Sequence, residues 1–160
     1  MKKILRLSLI TVIVIFSSHR LIAQQADQKQ QEEAVKALIN AQQYTFVAQR
    51  AVPLSMPPRQ LLNAVYLLKV SKDTVEAYLP YYGKTNAMPA SVLDDGFSFK
   101  AGDFKYTLQE RKKGGWNIKI ALKDAKDVTE LHLTITPSGY ATLQVTSTDK
   151  EFISYNGYVQ

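Results

Sequence analysis

The chain has 160 residues, with 20 basic and 14 acidic side chains and no cysteine. The lack of cysteine excludes disulfide bonds, thiolate catalysis, Cys-ligated zinc and lipid attachment at an N-terminal cysteine. The net charge of +6 would suit nucleic acid, but four of the 20 basic residues and none of the acidic ones fall in the first 23 positions. The remainder has 16 basic and 14 acidic side chains, a net charge of +2. Because phosphate contacts need a dense basic stripe, we expect no nucleic-acid partner.

Residues 1–23 have the layout of a secretory signal peptide. Three basic residues precede an apolar run from Leu7 to Phe16, and the small residue Ala23 offers a cleavage point. The run is shorter than the ~20 apolar residues that span a bilayer. We therefore expect export, cleavage at Ala23 and no transmembrane span in the mature chain. Leu21 stands where a smaller residue is preferred, so an uncleaved membrane anchor stays an alternative.

Residues 24–160 have the length of a single domain. They begin with a polar, Gln-rich tether, in which Asp27 is a suitable helix cap. The apolar residues Val35, Leu38 and Ile39 then share one helical face, which predicts a helix over about 28–42. Tether and helix occupy 24–43, and from residue 44 onward the apolar period changes to two.

Five later segments alternate apolar and polar residues, as antiparallel strands with one buried face do. Their apolar positions are Phe104, Tyr106 and Leu108; Trp116, Ile118, Ile120 and Leu122; Leu131, Leu133 and Ile135; Ala141, Leu143 and Val145; and Ile153, Tyr155 and Val159. Earlier strands are predicted at Thr45–Arg50, in a hairpin of Val65–Val70 with Thr74–Leu79, and at 97–99.

The register of each hairpin follows from the need for the apolar faces to agree, because a slip of one residue turns every side chain to the other face. A three-residue loop at Lys113–Gly115 satisfies this condition, and so do short loops at 124–127, 137–139 and 148–150. The predicted pairs are Leu108 with Ile120, Ile118 with Leu133, Leu133 with Leu143, Leu143 with Tyr155, and Val70 with Val75.

These patterns predict a mainly β domain with one N-terminal α-helix. Residues 44–160 form about eight or nine strands, in an antiparallel meander that curls into a barrel-like or sandwich arrangement because one apolar face must be enclosed. The helix and the Pro-rich connection 51–63 are expected to cover an open edge or end.

From Phe46 to Tyr158 the sequence resembles an uncharacterised family, domain of unknown function 4251. The segments that carry the likeness are Phe46–Ala51, Tyr66–Val70, Val75–Gly83, Lys112–Trp116 and Ile153–Tyr158. The family's members are exported proteins of Gram-negative gut anaerobes. The resemblance implies an exported domain in the periplasm or cell envelope of such a bacterium, and it supplies neither an activity nor catalytic residues.

The mature chain is poor in catalytic groups. Its one histidine, His132, is expected on the polar sheet face opposite Gln144. No converging metal ligands and no Gly-x-Ser-x-Gly turn appear, so we expect no metal, no cofactor and no Ser-His-Asp catalysis. Asp94 and Asp95 precede Gly96, which is typical of a turn. Alternatives are a carboxylate pair for glycoside hydrolysis or, with Asp103, a calcium site.

Tyrosines concentrate where the first hairpin enters the second of two long connections, 51–63 and 80–96. Loops of this length in a compact domain are functional or disordered, and tyrosine offers a large contact area and a hydroxyl group. The candidate ligand-binding residues are Tyr66, Tyr78, Tyr81, Tyr82 and Arg50. The alternative is that the rings close one end of the sheet over the core. For Arg50 the alternatives are a structural or solvated arginine, an ion pair with Glu76 and a bound anion.

We therefore expect an exported, non-enzymatic binding or envelope-associated domain that binds a glycan, a peptide or an envelope protein. One alternative is a periplasmic hydrolase that uses carboxylates such as Glu76, Asp94 or Asp95. Another is an inhibitor or assembly partner that acts by strand pairing. The polar sheet face is either solvated or a ligand-binding surface, and its side chains are Thr107, Gln109, Asn117, Thr134, Thr142, Gln144, Ser154 and Asn156.

Overall fold

The structure, a computed structural model, describes residues 27–62, 65–85, 96–125 and 127–160. The predicted leader and the acidic pair Asp94 and Asp95 lie outside these ranges. Nowhere in the described ranges is a helix long and apolar enough to cross a membrane.

Helix α1 covers residues 27–41, close to the predicted 28–42. The strands that follow are β1 Tyr44–Pro53, β2 Arg59–Gln60, β3 Leu67–Val70, β4 Val75–Leu79, β5 Phe97–Ala101, β6 Phe104–Glu110, β7 Trp116–Leu122, β8 Val128–Ile135, β9 Tyr140–Ser147 and β10 Ile153–Val159. The described part of the chain thus has ten strands, and the shortest is the two-residue strand β2, which no sequence pattern predicted.

The strands form one nearly closed, barrel-like antiparallel sheet in the order β5-β4-β3-β1-β10-β9-β8-β7-β6. The predicted mainly β fold with one N-terminal helix is confirmed, in its barrel-like form. Strand β2 pairs with β1 beyond the end of β3. The connection after β1 therefore extends the sheet along the β1 edge.

Most of the predicted registers are confirmed. Leu133 lies opposite both Ile118 and Leu143, and Leu143 lies opposite Tyr155. In the first hairpin Val70 pairs with Val75. On the other sheet face His132 lies opposite Gln144, as predicted.

The predicted β6–β7 register is wrong by two residues. Leu108 pairs with Ile118 rather than Ile120, because the connecting loop has five residues, 111–115, rather than three. Arg111 and Gly115 close this loop, since the amide of the first donates to the carbonyl oxygen of the second at 3.0 Å. A shift of two residues leaves every side chain on the same face, so alternation could not detect it.

The concave side of the sheet encloses one apolar core, and the buried residues of the described ranges are hydrophobic throughout. The largest fully buried side chains are Phe46, Leu68, Leu79, Ile118, Ile120, Leu131, Leu133, Ile135, Leu143, Ile153 and Tyr155, together with Ile39 of the helix. Burying one such side chain stabilises the fold by about 1.5–3 kcal/mol. This burial is what requires the sheet to curl.

Helix α1 packs at the end of the barrel where β1 begins and β8 turns into β9. Val35 and Ile39 are buried in the core cluster, and the Gln31 side-chain amide donates to the Ser138 carbonyl oxygen at 2.9 Å. Gln42, directly after the helix, takes a positive φ of 50°. The amide of Gln43 then donates to the Leu38 carbonyl oxygen, as in a Schellman cap. The predicted role of the helix as an end cover is confirmed.

Strands β1 and β10 join the two ends of the described chain, and their closest approach is at Gly157. The pairing has a bulge between Ala48 and Arg50, opposite this glycine. A Cβ atom on Gly157 would overlap the backbone carbonyl of Val47. Glycine inside a strand marks such close backbone contact, so the β1–β10 register requires glycine here.

We predict that Gly157→Ala lowers the free energy of unfolding by about 1–3 kcal/mol, because the new methyl group forces β1 and β10 apart. The matched control is Gly102→Ala, where a Cβ atom would meet nothing closer than 3.8 Å. The control should change stability by less than about 0.5 kcal/mol. Urea denaturation measures both variants, and equal stability of the two would contradict the role given to Gly157.

Candidate functional site

Strand alternation divides the predicted tyrosines between two sides of the sheet. Along β4 the side chains of Val75, Ala77 and Leu79 are buried, whereas Glu76 and Tyr78 face outward. Tyr78 is 54% exposed, while Tyr81, three residues later, is buried. The candidate residues therefore do not form a single cluster.

Tyr81 packs as a core residue at the end of the barrel remote from helix α1. Its hydroxyl donates to the Lys84 carbonyl oxygen at 2.5 Å, and its ring meets Phe97 edge-to-face with centroids 5.5 Å apart. The Lys150 ammonium lies 5.2 Å from the Phe97 centroid and 5.9 Å from that of Tyr81. This ammonium also donates to the Gly96 carbonyl oxygen at 3.1 Å. These contacts hold the loop after β4 over the core.

Tyr82 and Tyr155 complete that end of the barrel. The buried Tyr155 hydroxyl donates to the Pro80 carbonyl oxygen at 2.6 Å, and burial raises the pKa of Tyr155 far above its ordinary value. Tyr82 is half-buried, and the Arg59 guanidinium lies 4.8 Å from its ring centroid. The segment 80–82 thus anchors the loop on the core side of the sheet.

Tyr66 and Tyr78 come together elsewhere, with Tyr78 on the convex outer face. Their rings stack with centroids 5.8 Å apart and an interplanar angle of 18°. The Tyr66 carbonyl oxygen accepts a hydrogen bond from the Ala48 amide at 2.9 Å, which fixes the segment before β3 against β1. The stack presents one exposed ring to solvent beside the β3–β4 hairpin.

Pairing of β1 with β10 extends this stack into a longer apolar surface. Five outward side chains, one from each of five neighbouring strands, pair in register across the sheet. We name them the outer aromatic row. In the order β9, β10, β1, β3 and β4 they are Tyr140, Tyr158, Val47, Leu67 and Tyr78. Directly paired side chains in an antiparallel sheet lie about 4.5–5.5 Å apart at Cβ and interact. The row therefore crosses five strands as a continuous strip.

Exposure varies along the outer aromatic row. Tyr140 is 65% exposed and Tyr78 is 54% exposed, whereas Val47 between them is 4% exposed. Val47 is not part of the core cluster, so its burial comes from the outer side, where its paired neighbours are Tyr158 and Leu67. The row is packed in its middle and presents aromatic rings at both ends.

The site residues predicted from the sequence do not include Tyr140 and Tyr158. Each stands on the polar side of its strand, next to a residue of the apolar side. A large aromatic residue on a strand face that is predicted to be solvated could have indicated these two positions. Exposed apolar side chains that cluster mark interaction sites. The predicted β9–β10 register already places Tyr140 opposite Tyr158, whereas their link to Val47 depends on the β1–β10 pairing, which the sequence did not reveal.

A second row, of uncharged polar side chains, lies next to the aromatic row on β9 and β10, two residues from Tyr140 and Tyr158 on the same face. We name it the polar row, and in register across β10, β9, β8, β7 and β6 it consists of Asn156, Thr142, Thr134, Asn117 and Gln109. The Thr142 hydroxyl donates to Asn156 at 3.0 Å and that of Thr134 to Asn117 at 3.2 Å. These bonds hold two amide groups in fixed orientations, and the amide of Asn156 lies beside the aromatic row.

Arg50 and Glu76 lie on the outer face on opposite sides of the outer aromatic row. Arg50 is exposed and pairs in register with Asn156 and Gln60. Glu76 lies between Lys69 and Lys100 on the neighbouring strands. Arg50 and Glu76 therefore do not form the ion pair that was one alternative from the sequence. The ion pairs among the described residues are Lys119–Glu130 and Lys123–Asp103.

The carboxylates of the hydrolase alternative do not form a described cluster. Asp94 and Asp95 lie outside the described residues, and Glu76 has lysines as its cross-strand neighbours. Within the described ranges no three His, Asp or Glu side chains are grouped as metal ligands would be. The Asp103 carboxylate forms an ion pair with Lys123. The Asp124 carboxylate accepts hydrogen bonds from the amides of Gly102 and Asp103 at 2.8 and 3.0 Å. These two hydrogen bonds hold the pKa of Asp124 below its usual value.

The fold and the outer face define a small antiparallel β domain with one nearly closed sheet. The family described as domain of unknown function DUF4251 matches residues 26–159, and the chain belongs to this family. A crystal structure of a DUF4251 family protein from Bacteroides eggerthii DSM 20697 has a similar fold, with a TM-score of 0.61. It is 14% identical in sequence, and the match covers 84% of this chain and 90% of that one. Comparison with curated proteins found no match.

We predict that stability falls as the pH rises above 10 and that Tyr155→Phe reduces this fall. The unfolded chain releases the Tyr155 proton near the ordinary pKa of about 10, whereas the folded chain keeps it because burial raises that pKa. Unfolding is therefore favoured as the pH rises, by up to about 1.4 kcal/mol per pH unit for one such group. Burial also raises the pKa of Tyr44, Tyr81 and Tyr106, so part of the slope should remain.

Urea denaturation at pH 8, 10 and 11 measures this effect. At pH 8 Tyr155→Phe should cost about 1 kcal/mol through the lost hydrogen bond to Pro80, and the difference from the parent should shrink at pH 11. A constant difference across these pH values would contradict a buried, protonated Tyr155.

Proposed function

We propose that the protein is an exported, non-enzymatic binding domain whose ligand lies on the outer aromatic row. The observation that supports this proposal is the register of three tyrosines with Val47 and Leu67 on the solvent side of the sheet. The core lies on the other side, so exposed rings at the ends of the row have no role in closing the barrel. The exposed rings of Tyr78 and Tyr140 flank the buried Val47, and exposed apolar surface that is rimmed by polar residues is typical of interaction sites.

Tyrosine suits this role because it combines contact area with a hydroxyl group and loses little conformational freedom on binding. The stack of Tyr66 on Tyr78 restrains the exposed ring before any ligand arrives. The packed centre around Val47 similarly fixes the surface beneath a ligand. A pre-organised surface binds more tightly, because less entropy is lost on association.

Export is part of the proposal. The predicted leader, residues 1–23, lies before the family match, which begins at residue 26. An N-terminal segment with basic residues, a short apolar run and a small residue at its end is what the export machinery removes. We infer a periplasmic or envelope location in a Gram-negative bacterium.

The alternative of strand pairing has one observation in its favour. Strand β6 is an end strand of the sheet, and Leu108 on it is 37% exposed. However, β6 also carries Lys105 and Glu110, both exposed, and charged side chains on an edge strand discourage pairing with another chain. Binding on the outer aromatic row is the better supported function.

We predict that the purified protein binds members of an array of immobilised oligosaccharides and peptides, and that Tyr78→Ala and Tyr140→Ala each weaken the binding about tenfold. Both residues are more than half exposed, so the variants should keep the parental melting temperature. The matched control is Tyr82→Ala, which removes a tyrosine from the core side of the sheet and should leave binding unchanged.

Two other results of the array experiment would contradict the proposal. Loss of binding in Tyr82→Ala alone would locate the ligand at the far end of the barrel, and equal binding by all variants would exclude the outer aromatic row. Mass spectrometry of bound oligosaccharides after incubation tests the hydrolase alternative, and shortened products would contradict a non-enzymatic function.

We predict that the chain expressed in a Gram-negative host is recovered from the periplasmic fraction beginning at Gln24. Intact-mass measurement of that fraction identifies the cleavage point. Recovery of full-length chain from the membrane fraction would instead support the uncleaved anchor.

A further inference from the structure

We propose that the outer aromatic row binds an extended, neutral glycan that lies across the strands. This inference rests on the proposed function and adds the chemical class and direction of the ligand. Three features of the surface support it: the hydrogen-bonding state of the backbone, the charge of the flanking side chains and the length of the row.

The backbone beneath the row has no free edge to offer. Each strand of the row, from β9 to β4, has a paired strand on both sides. Peptides that bind sheets add as an extra strand at an open edge, and main-chain hydrogen bonds supply much of their affinity. Those groups are already paired here, so a ligand on this surface is held by side chains alone.

The side chains that flank the row are uncharged on β9 and β10, whereas charged side chains of both signs flank it on β1, β3 and β4. The row is made of three tyrosines, a valine and a leucine, and the polar row beside it consists of amides and hydroxyls. Arg50 lies at one margin of the polar row, and Lys69, Glu76 and Lys100 lie beyond the other side of the aromatic row with mixed signs. On β9 and β10, where the polar row flanks the aromatic row, the surface therefore gives no dominant attraction to an anionic or cationic ligand.

Neutral sugars match this combination of groups. The C–H face of a sugar ring is apolar and can lie flat on a tyrosine ring, whereas its hydroxyls donate and accept hydrogen bonds. Asparagine and threonine side chains also donate and accept. The Thr142–Asn156 bond holds one amide in place beside Tyr140 and Tyr158, so the hydroxyl partners are oriented in advance.

The row is long enough for several sugar units. Tyr140 and Tyr78 are separated by four strand spacings, about 19 Å at the usual distance between strands. A ligand that contacts both exposed rings must be extended and must run perpendicular to the strands. A single sugar could contact only one of them.

Calorimetric titration of the purified protein with neutral glucose, xylose and mannose oligosaccharides of two to six units tests the inference. Affinity should rise with length for at least one sugar, and six units should lose about tenfold in both Tyr78→Ala and Tyr140→Ala. A disaccharide should depend on no more than one of the two tyrosines. Tyr82→Ala is the matched control and should bind as the parent does.

The comparison ligands are oligogalacturonates, which are anionic, and uncharged ten-residue peptides. Binding of oligogalacturonates in place of the neutral oligosaccharides would overturn the neutral charge of the ligand, and binding of the peptides would overturn the glycan class. Either result, with the same dependence on Tyr78 and Tyr140, would leave the proposed function intact. Neutral-glycan binding that depends on Tyr82 alone would overturn both. Failure of every neutral oligosaccharide to bind at millimolar concentration would overturn the inference.

Discussion

One-sided burial is the constraint on which the structure depends. Alternate residues of every long strand are apolar, and a flat sheet would leave them in water. The sheet therefore curls until Ile118, Leu133, Leu143 and Tyr155 meet around one core, and helix α1 covers one end. Because the concave side is filled by side chains, the proposed ligand site lies on the convex side.

The β1–β10 pairing brings together the side chains of the proposed site. It brings residues near position 47 next to residues near position 158, and it depends on the absence of a side chain at Gly157. Without this contact Tyr158 and Tyr140 would be separated from Leu67 and Tyr78. The same contact thus joins the two ends of the domain and assembles the outer aromatic row.

Local patterns predicted the hairpins and missed the long-range surface. A hairpin register is tied to the burial of one face, so Leu133 could be placed opposite Leu143 from the sequence. The predicted β6–β7 register is wrong by two residues. Such a shift keeps the same side chains on the buried face, so the alternation of apolar residues could not detect it. Of the candidate tyrosines, Tyr66 packs against the core and stacks on the outward Tyr78, whereas Tyr81 and Tyr82 pack against the core at the end of the barrel. The pair of Tyr140 and Tyr158 follows from the predicted β9–β10 register. Its link to Val47 required the pairing of distant strands, which alternation does not encode.

The most direct test of the account is a nuclear magnetic resonance titration of isotope-labelled protein with a neutral hexasaccharide. The account predicts that the largest shift changes fall on the outer side chains of five strands, at Tyr78, Leu67, Val47, Tyr158 and Tyr140. Shift changes confined to Tyr82, Arg59 and Lys150 at the end of the barrel would contradict it, and so would changes along strand β6 alone.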